Sequence, residues 1–250
     1  MRKIIILLLV LSFIGCAQVQ PGHEYYVSKV IDGDTIELGN GQRVRYLGLD
    51  TPETRKRQGE TWVYAPEPYA EAAAEFNRKL VEGKQARLEF DVQKKDKYNR
   101  LLAYCFVGDV FVNAELLKNG YALLYTSSPN VKYVDILVKA QQDARRNNRG
   151  LWGEIPQISA KEARRYFDRM AVVEGKVTSI RQSPKVTVLN FGQSGFKAVI
   201  FKEQLAIFMS SAVSVRAYRG KTLRVTGKVK EYRGEAEIIV RHPSAIEVLD

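Results

Sequence analysis

The sequence is most informative at Val44-Arg45-Tyr46-Leu47-Gly48-Leu49-Asp50-Thr51-Pro52-Glu53-Thr54. Its apolar first half predicts a strand, and the turn motif Gly39-Asn40-Gly41 predicts a hairpin that pairs this strand with residues 35–38. The carboxylates of Asp50 and Glu53 follow directly after the strand. The stretch therefore predicts acidic side chains gathered at the end of a β-strand.

A second acidic turn precedes it, at Ile31-Asp32-Gly33-Asp34-Thr35. Turns of this kind let carboxylates converge with a backbone carbonyl, and hard cations such as calcium bind in such oxygen-only sites. The chain has two histidines and two cysteines, too scarce to indicate zinc. The two acidic turns together predict a site for a hard divalent cation.

Two arginines accompany these acids. Arg45 lies on the strand that leads to Asp50, and Arg100 ends the run Asp96-Lys97-Tyr98-Asn99-Arg100. A guanidinium group binds two phosphate oxygens at once, and with a metal ion it neutralises the charge that develops in phosphoryl transfer. Each motif alone is also compatible with ordinary turn residues and solvated arginines. Three such motifs in one order predict a phosphoryl-transfer centre.

The pattern around these motifs predicts a mainly β fold with helices (α+β). Further strands are expected over residues 25–31, 86–92 and 101–107, and helices over about 67–81, 113–119 and 130–147. Asn113 is expected to cap the second helix, and residues 55–59 to form a charged loop. Cys105, in an apolar strand, is expected to be buried and unreactive.

Residues 25–152 resemble the staphylococcal nuclease (thermonuclease) family, which implies a five-stranded OB-like barrel with three helices. The resemblance is carried by three stretches: Val30-Ile31-Asp32-Gly33-Asp34-Thr35, the stretch from Val44 to Thr54, and Asp96-Lys97-Tyr98-Asn99-Arg100-Leu101-Leu102-Ala103-Tyr104. It implies a calcium-dependent endonuclease that hydrolyses phosphodiester bonds of DNA and/or RNA and leaves 3′-phosphate ends.

The resemblance also implies a metal site. Asp34 and Asp50 would bind calcium directly, the carbonyl of Thr51 would add a ligand, and Asp32 would lie in an outer shell. Ca2+ is the one cofactor that the resemblance implies.

Catalytic roles follow for three more residues. Glu53 would position or deprotonate the attacking water. Arg45 and Arg100 would bind the phosphate in the transition state, and Arg100 would assist the leaving 5′-oxygen.

Substrate contacts are implied for Lys97, Tyr98 and Tyr125. Two positions depart from the family pattern: Asn99 replaces a common glycine, which asparagine tolerates at positive φ, and Ser127 stands where a second stacking tyrosine would be. Since base stacking is worth about 1–3 kcal/mol per base, the second departure puts substrate preference in doubt.

The second half of the chain predicts a separate nucleic-acid-binding domain. Residues 153–170 read as a linker and a helix opened by a Ser159–Glu162 capping box, and residues 171–250 as a second OB-like β-barrel. Phe191, Tyr232 and Arg233 are candidate stacking contacts, whereas Phe196 and Phe201 are expected in the core.

The positive charge is uneven. Of the net +11, residues 17–152 contribute 20 basic and 18 acidic residues, and residues 153–250 contribute 17 and 10. The surplus therefore lies mainly in the second half, which favours a polyanionic partner such as DNA or RNA, with single strands preferred. No protein partner is predicted.

The first sixteen residues have the layout of a lipoprotein-type signal peptide. Arg2 and Lys3 precede an apolar run that ends at Cys16. Cys16 is the expected lipidation site, followed by a polar tether over residues 17–24. The protein is therefore expected in a bacterial cell envelope, lipid-anchored with the outer membrane favoured, or periplasmic or extracellular.

Two alternatives to a secreted nuclease remain open. One is a catalytically inactive nuclease-like lipoprotein that binds nucleic acid, although such a protein usually lacks the arginines or carboxylates present here. The other is a structural lipoprotein whose basic domain binds an anionic lipid or polymer.

Overall fold

The computed structural model describes residues 23–211 and 213–250. The predicted signal segment, Cys16 and most of the tether lie outside the described residues. Within the described ranges, no helix combines the length and apolar character that crossing a bilayer requires.

The N-terminal half consists of short strands and three helices within the described range. The strands are β1 (Glu24–Val30), β2 (Thr35–Leu38), β3 (Arg43–Tyr46), β4 (Gly48–Asp50), β5 (Arg55–Gln58), β6 (Thr61–Tyr64), β7 (Gln85–Lys95), β8 (Leu101–Val107), β9 (Val110–Phe111) and β10 (Leu123–Tyr125). The helices are α1 (Ala70–Val81), α2 (Val112–Lys118) and α3 (Val134–Arg146).

Five of these strands close into a barrel. The sheet has the order β3-β2-β1-β7-β8-β9, and β3 also pairs with β8 in parallel. The second pairing joins the two ends of the order, so that β1, β2, β3, β7 and β8 form a ring. The predicted mainly β fold with helices is confirmed.

Large side chains fill the barrel. Tyr46, Leu88 and Tyr104 are each at most 2% exposed. Cys105 is fully buried beside them, and burial raises the pKa of its thiol to about 12. The prediction of a buried, unreactive cysteine is confirmed, because a thiol that stays protonated is a poor nucleophile.

Asn113 does not cap α2 as predicted. It lies inside the helix and is fully buried. Its side-chain oxygen accepts a hydrogen bond from the Cys105 backbone (2.9 Å), and its amide donates to the Leu47 carbonyl (2.8 Å). The side chain therefore joins the helix to the barrel instead of closing the helix end.

Two helices also begin later than predicted. α1 begins at Ala70 because Tyr69 has a φ of 68°, outside the helical region. α3 begins at Val134, because Asn130 bonds the backbone of Gln93 in both directions, at 2.8 and 2.9 Å, instead of starting the helix.

The C-terminal half forms one sheet with its own core. Its strands are β11 (Gln157–Ser159), β12 (Met170–Lys176), β13 (Ser179–Gln182), β14 (Val186–Asn190), β15 (Phe196–Phe201), β16 (Thr222–Tyr232), β17 (Glu235–Ile239) and β18 (Ile246–Val248), with α4 at Lys202–Ser210. The order is β11-β12-β16-β17-β15-β14-β13, and β18 also pairs with β16. The long β16 pairs with β12 along its first part and with β17 along its second.

This core takes in part of the segment that the sequence assigns to a linker. β11 pairs in parallel with β12, and Ile158 and Ala163 are buried in the C-terminal core. The capping box at Ser159 and Glu162 is present, and it opens a 3-10 helix over Ala160–Tyr166. The C-terminal unit thus begins near residue 157.

The aromatic predictions for this half have mixed outcomes. Phe196 is 1% exposed, as expected for a core residue, but Phe201 is 39% exposed, so its core assignment is wrong. Phe191 is buried against Phe196 and is not available for stacking on a ligand. Tyr232 is exposed, with the Arg233 guanidinium carbon 5.3 Å from its ring centroid.

Polar contacts join the two halves. Lys228 Nζ lies 2.8 Å from Glu67 Oε1, and the Thr126 hydroxyl donates to the Arg241 carbonyl at 2.9 Å. The C-terminal unit is therefore fixed against the β10 side of the barrel.

Candidate active site

Arg45 lies between two carboxylates. Thr35 on β2 pairs with Arg45 on β3, so the Arg45 side chain lies beside Asp34 at the start of β2. Arg45 Nη1 is 2.7 Å from Asp34 Oδ2, and Nη2 is 2.5 Å from Asp50 Oδ1. Both pairs form at once because the guanidinium is a planar fork. Only 15% of the Arg45 side chain is exposed, so water screens the pairs weakly.

Asp34 is held by the loop that follows β4. Its Oδ2 accepts hydrogen bonds from the Thr51 backbone N–H (2.9 Å) and from the Thr51 hydroxyl (3.0 Å). A Cβ at position 33 would lie 2.7 Å from Thr51 Oγ1, so glycine is required there for the two segments to meet. The two acidic turns of the sequence are thus brought together, as predicted.

The acidic side chains share an excess of negative charge. Burial and the charge of Asp34 raise the pKa of Asp32 to about 7. Desolvation raises the pKa of Asp50 and of Glu53 as well, and Asp34 adds to both shifts. For Arg45, burial acts against the charged form, but the Asp34 and Asp50 carboxylates outweigh it and raise the pKa. One arginine therefore only partly compensates this group of carboxylates.

The donor chemistry fits a hard cation. The side chains around Arg45 offer carboxylate and hydroxyl oxygens, which are the ligands of calcium. In the described residues, no three His, Cys, Asp or Glu side chains are grouped closely enough to hold a metal ion. Asp34 and Asp50 are instead both paired with Arg45. The oxygen atoms around Arg45 therefore match calcium in ligand type, and the negative charge of the carboxylates suits a cation.

Glu53 extends from the same loop with an exposed carboxylate. Its backbone N–H donates to Glu67 Oε2 at 3.2 Å. Hydrogen bonds from Lys228 and from the Glu53 backbone outweigh the effect of burial and lower the pKa of Glu67. The sequence does not predict this role for Glu67, since the contact with Lys228 spans 161 positions.

Arg100 also lines the cleft, at the end of the β7–β8 loop. Its Nε is 2.7 Å from Asp96 Oδ2, and Asp96 Oδ1 also accepts from the Arg100 backbone N–H at 2.9 Å. Asn99 has a φ of 64°, the conformation expected for it. These bonds fix the loop and present Tyr98, which is 69% exposed, with Lys97 Nζ 4.9 Å from its ring centroid.

Sequence comparison identifies relatives of this chain. The profile described as staphylococcal nuclease homologue matches residues 43–154. The thermonuclease of Staphylococcus intermedius is 40% identical over 134 residues, which cover 52% of this chain and 77% of that protein. The chain belongs to the staphylococcal nuclease family. It is thus a nuclease-type hydrolase.

Other relatives of this nuclease also match about half of the chain. The thermonuclease of Staphylococcus hyicus is 37% identical over 131 residues, covering 51% of this chain and 75% of that protein. The SPbeta prophage-derived endonuclease YokF of Bacillus subtilis is 40% identical over 133 residues, which cover 51% of this chain but 43% of that relative. These matches leave about half of the nuclease chain unaccounted for.

The catalytic candidates of the nuclease line one open cleft of about 1600 Å3. Asp34, Arg45, Asp50, Glu53 and Arg100 all contribute to its walls. The predicted set is thus brought together around a single cleft, and its individual roles stay predictions.

A hairpin that the sequence does not predict forms one flank of this cleft. Residues 55–64 fold into β5 and β6 where a charged loop is expected, so that prediction is wrong. Trp62 and Tyr64 line the cleft and are each 64% exposed. The alternation of Thr61-Trp62-Val63-Tyr64 is the pattern that could have indicated a strand.

Tyr125, at the end of β10, and Ser127 also line the cleft. The guanidinium carbon of Arg241 lies 4.1 Å from the centroid of the Tyr125 ring. The side chain beside Tyr125 is therefore an arginine from the C-terminal unit. Sequence patterns within residues 25–152 carry no information about it.

Proposed function

We propose that this nuclease is a calcium-dependent endonuclease that hydrolyses phosphodiester bonds of DNA and/or RNA, prefers single strands and leaves 3′-phosphate ends. The observation that carries the proposal is the Arg45 guanidinium held between Asp34 and Asp50 in an open cleft. Family membership supports nucleolysis, and the donor chemistry supports the cation.

The cation would be held by the carboxylates of Asp34 and Asp50 and by the carbonyl of Thr51, with Asp32 in the outer shell. A bound calcium ion supplies positive charge that offsets the charge on the phosphate. The raised pKa values of Asp32 and Asp50 support this assignment, because burial, together with the charge of Asp34, disfavours their carboxylate forms more than Arg45 favours them.

Glu53 would accept the proton of the attacking water. Its pKa is raised towards neutral pH, and a general base works best when its pKa is near the pH of the reaction. The water oxygen forms a new bond to phosphorus, and the bond from phosphorus to the 5′-oxygen breaks. The phosphate then stays on the 3′ side, and the leaving 5′-oxygen takes up a proton from solvent and becomes a hydroxyl.

The two arginines would act on the phosphate itself. Arg45 binds its oxygens as charge builds on phosphorus, and Arg100 does the same and assists the leaving 5′-oxygen. Lys97, Tyr98 and Tyr125 would contact the nucleotide. The exposure of Tyr98 and its place in the cleft support that role.

A digestion assay tests the proposal. Plasmid DNA and a single-stranded RNA are incubated with the full chain, with calcium or with a chelator. Cleavage is expected with calcium alone, and neither Arg45→Ala nor Glu53→Ala should cleave while circular dichroism shows a native fold. Cleavage in chelator would contradict the role of calcium. Binding of nucleic acid by the wild type without cleavage would favour the catalytically inactive alternative.

The proposal extends to location. We propose that the protein is exported to the cell envelope and anchored through a lipid on Cys16, in the outer membrane by preference, or released into the periplasm or medium. The support is the apolar N-terminal run that ends at Cys16. In a cell fractionation, Cys16→Ala should move the protein from the membrane to the soluble fraction, and an unchanged distribution would contradict the anchor.

The C-terminal unit would hold single-stranded nucleic acid. Exposed Tyr232 with Arg233 beside its ring, and the surplus of basic residues, support this role. Tyr232→Ala in the full chain should weaken binding of single-stranded DNA at low salt. Equal binding by the variant and the wild type would argue against Tyr232 as a contact.

A further inference from the structure

A cavity of about 760 Å3 lies between the two halves of the protein. Three residues line both this cavity and the active-site cleft: Asp50, Glu53 and Tyr125. The catalytic carboxylates therefore stand where the two spaces meet. A nucleic-acid strand bound in the cleft would therefore lie beside the cavity at this point.

The C-terminal wall of the cavity is basic. It carries Arg169, Lys230 and Arg241, and the first two are exposed. Two further side chains of the cavity wall, Trp152 and Thr226, have buried polar atoms without a hydrogen-bond partner among the described residues. The wall thus offers positive charge at its surface, and the polar atoms of Trp152 and Thr226 lie buried behind it.

Arg241 is the member of this wall nearest to the site. Its guanidinium lies over the Tyr125 ring at 4.1 Å, and its charge lessens the rise in the pKa of Asp50 that desolvation causes. Among the described residues, the Arg241 side chain forms no ion pair and donates no hydrogen bond of its own. All five guanidinium N–H donors remain for a ligand.

The main chain of Arg241 has a separate task. Its carbonyl accepts the hydrogen bond from Thr126 that helps to join the two halves. The backbone of Arg241 therefore makes the interdomain hydrogen bond, and its side chain can be changed without removing that bond.

We propose that Arg241 is a substrate-binding residue that the C-terminal unit contributes to the nuclease site, and that it binds a backbone phosphate where a single strand passes from the cleft into the cavity. A guanidinium binds a phosphate through two parallel N–H bonds. The cavity volume lies in the range of pockets that enclose one small ligand, which suits a single strand. The inference rests on the proposed nucleolytic function.

The test compares a long and a short substrate. The full-length Arg241→Ala and Arg241→Lys variants are assayed on a twelve-nucleotide single strand and on a dinucleotide whose only phosphate is the scissile one. For Arg241→Ala we expect KM for the long strand to rise about tenfold with little change in kcat, since the contact is not to the reacting phosphate. Hydrolysis of the dinucleotide should be unchanged.

Salt dependence separates phosphate binding from a structural role. Loss of one phosphate contact should reduce the slope of log(kcat/KM) against log[salt] by about 0.7 for a single strand. Arg241→Lys should keep that slope because it keeps the charge. Two control variants should retain the wild-type slope. Arg219→Ala removes an exposed arginine that lines neither the cleft nor the cavity. Thr126→Val removes the interdomain hydrogen bond but keeps the Arg241 guanidinium.

The possible outcomes are distinct. An active wild type with an Arg241→Ala variant that behaves like Arg219→Ala would overturn the inference and leave the proposed function standing. An equal loss on both substrates, with an unchanged salt slope, would assign Arg241 a structural role and also overturn it. A wild type that cleaves neither substrate would overturn the proposed function and this inference together.

Discussion

Replacement of Arg45 by lysine tests whether the fork of the guanidinium matters, beyond its charge. Arg45 reaches Asp34 with Nη1 and Asp50 with Nη2, at 2.7 and 2.5 Å. A lysine ammonium is a single point of charge on a flexible stem, so it can pair closely with one carboxylate at a time. One charge-assisted hydrogen bond is lost, and such a bond contributes about 1.5–3 kcal/mol. We expect Arg45→Lys to lower the free energy of unfolding by about that amount in the metal-free protein.

The effect on catalysis should be larger. Loss of one preorganised donor to a developing oxyanion costs about 10²–10³ in kcat, so kcat should fall by that factor in calcium, with KM changed less. The matched control is Arg43→Lys, because Arg43 lies two residues away on the same strand, is 58% exposed and has one 3.5 Å contact to Glu37. Urea unfolding and initial rates on single-stranded DNA give both quantities. If Arg45→Lys matched Arg43→Lys in stability and rate, the reasoning about the fork would be refuted.

Three further changes have definite expected outcomes. Glu53→Gln should lower kcat by a factor of about 10²–10⁴, because it removes the general base. It should also abolish the acidic limb of the pH–rate profile. If the variant retained that limb, the general base would be a different residue. Burial acts to raise the pKa of Glu89, but hydrogen bonds from Lys132, Tyr133 and Arg87 lower it from 4.5 to about 2. Glu89→Gln should therefore destabilise the protein above pH 4.5. The difference in stability from wild type, measured by urea unfolding, should vanish as the pH falls towards 2. Trp62→Ala should raise KM for single-stranded DNA about fivefold or more, as expected for loss of a base-stacking surface, while a matched Thr61→Ala should not.

Local pattern predicts the strands and the acidic turns, whereas the barrel and the individual residue roles were implied by the resemblance to the nuclease family. Strand alternation and the Gly39-Asn40-Gly41 turn specify the hairpin that carries Arg45, and the two acidic turns adjoin that hairpin. The positions of Asp34 and Asp50 relative to Arg45 follow once β2 pairs with β3 in register. The core of the site was therefore predictable from nearby residues.

What the sequence did not predict depends on distant partners. Asn113 was read as a cap because its type favours that position, but in the fold its side chain bonds the Leu47 carbonyl, 66 positions away. Phe201 reads as core by its apolar neighbours, yet it ends β15 and is partly exposed. Tertiary contacts override local preference in both cases.

The fold brings part of the basic surplus of the C-terminal half close to the acidic site. An acidic catalytic site repels the polyanion that it is to cleave, and the residues around Arg45 carry more negative than positive charge. Part of the basic surplus of the C-terminal half offsets this directly: Lys228 pairs with Glu67, and Arg241 acts on Asp50. The rest of the basic wall faces the path by which a strand would leave the site. Because screening confines such fields to about 10 Å at 0.1 M salt, this compensation is effective only if the two halves are in contact. Under the proposed function, the contact between the two halves therefore serves substrate binding as well as the fold.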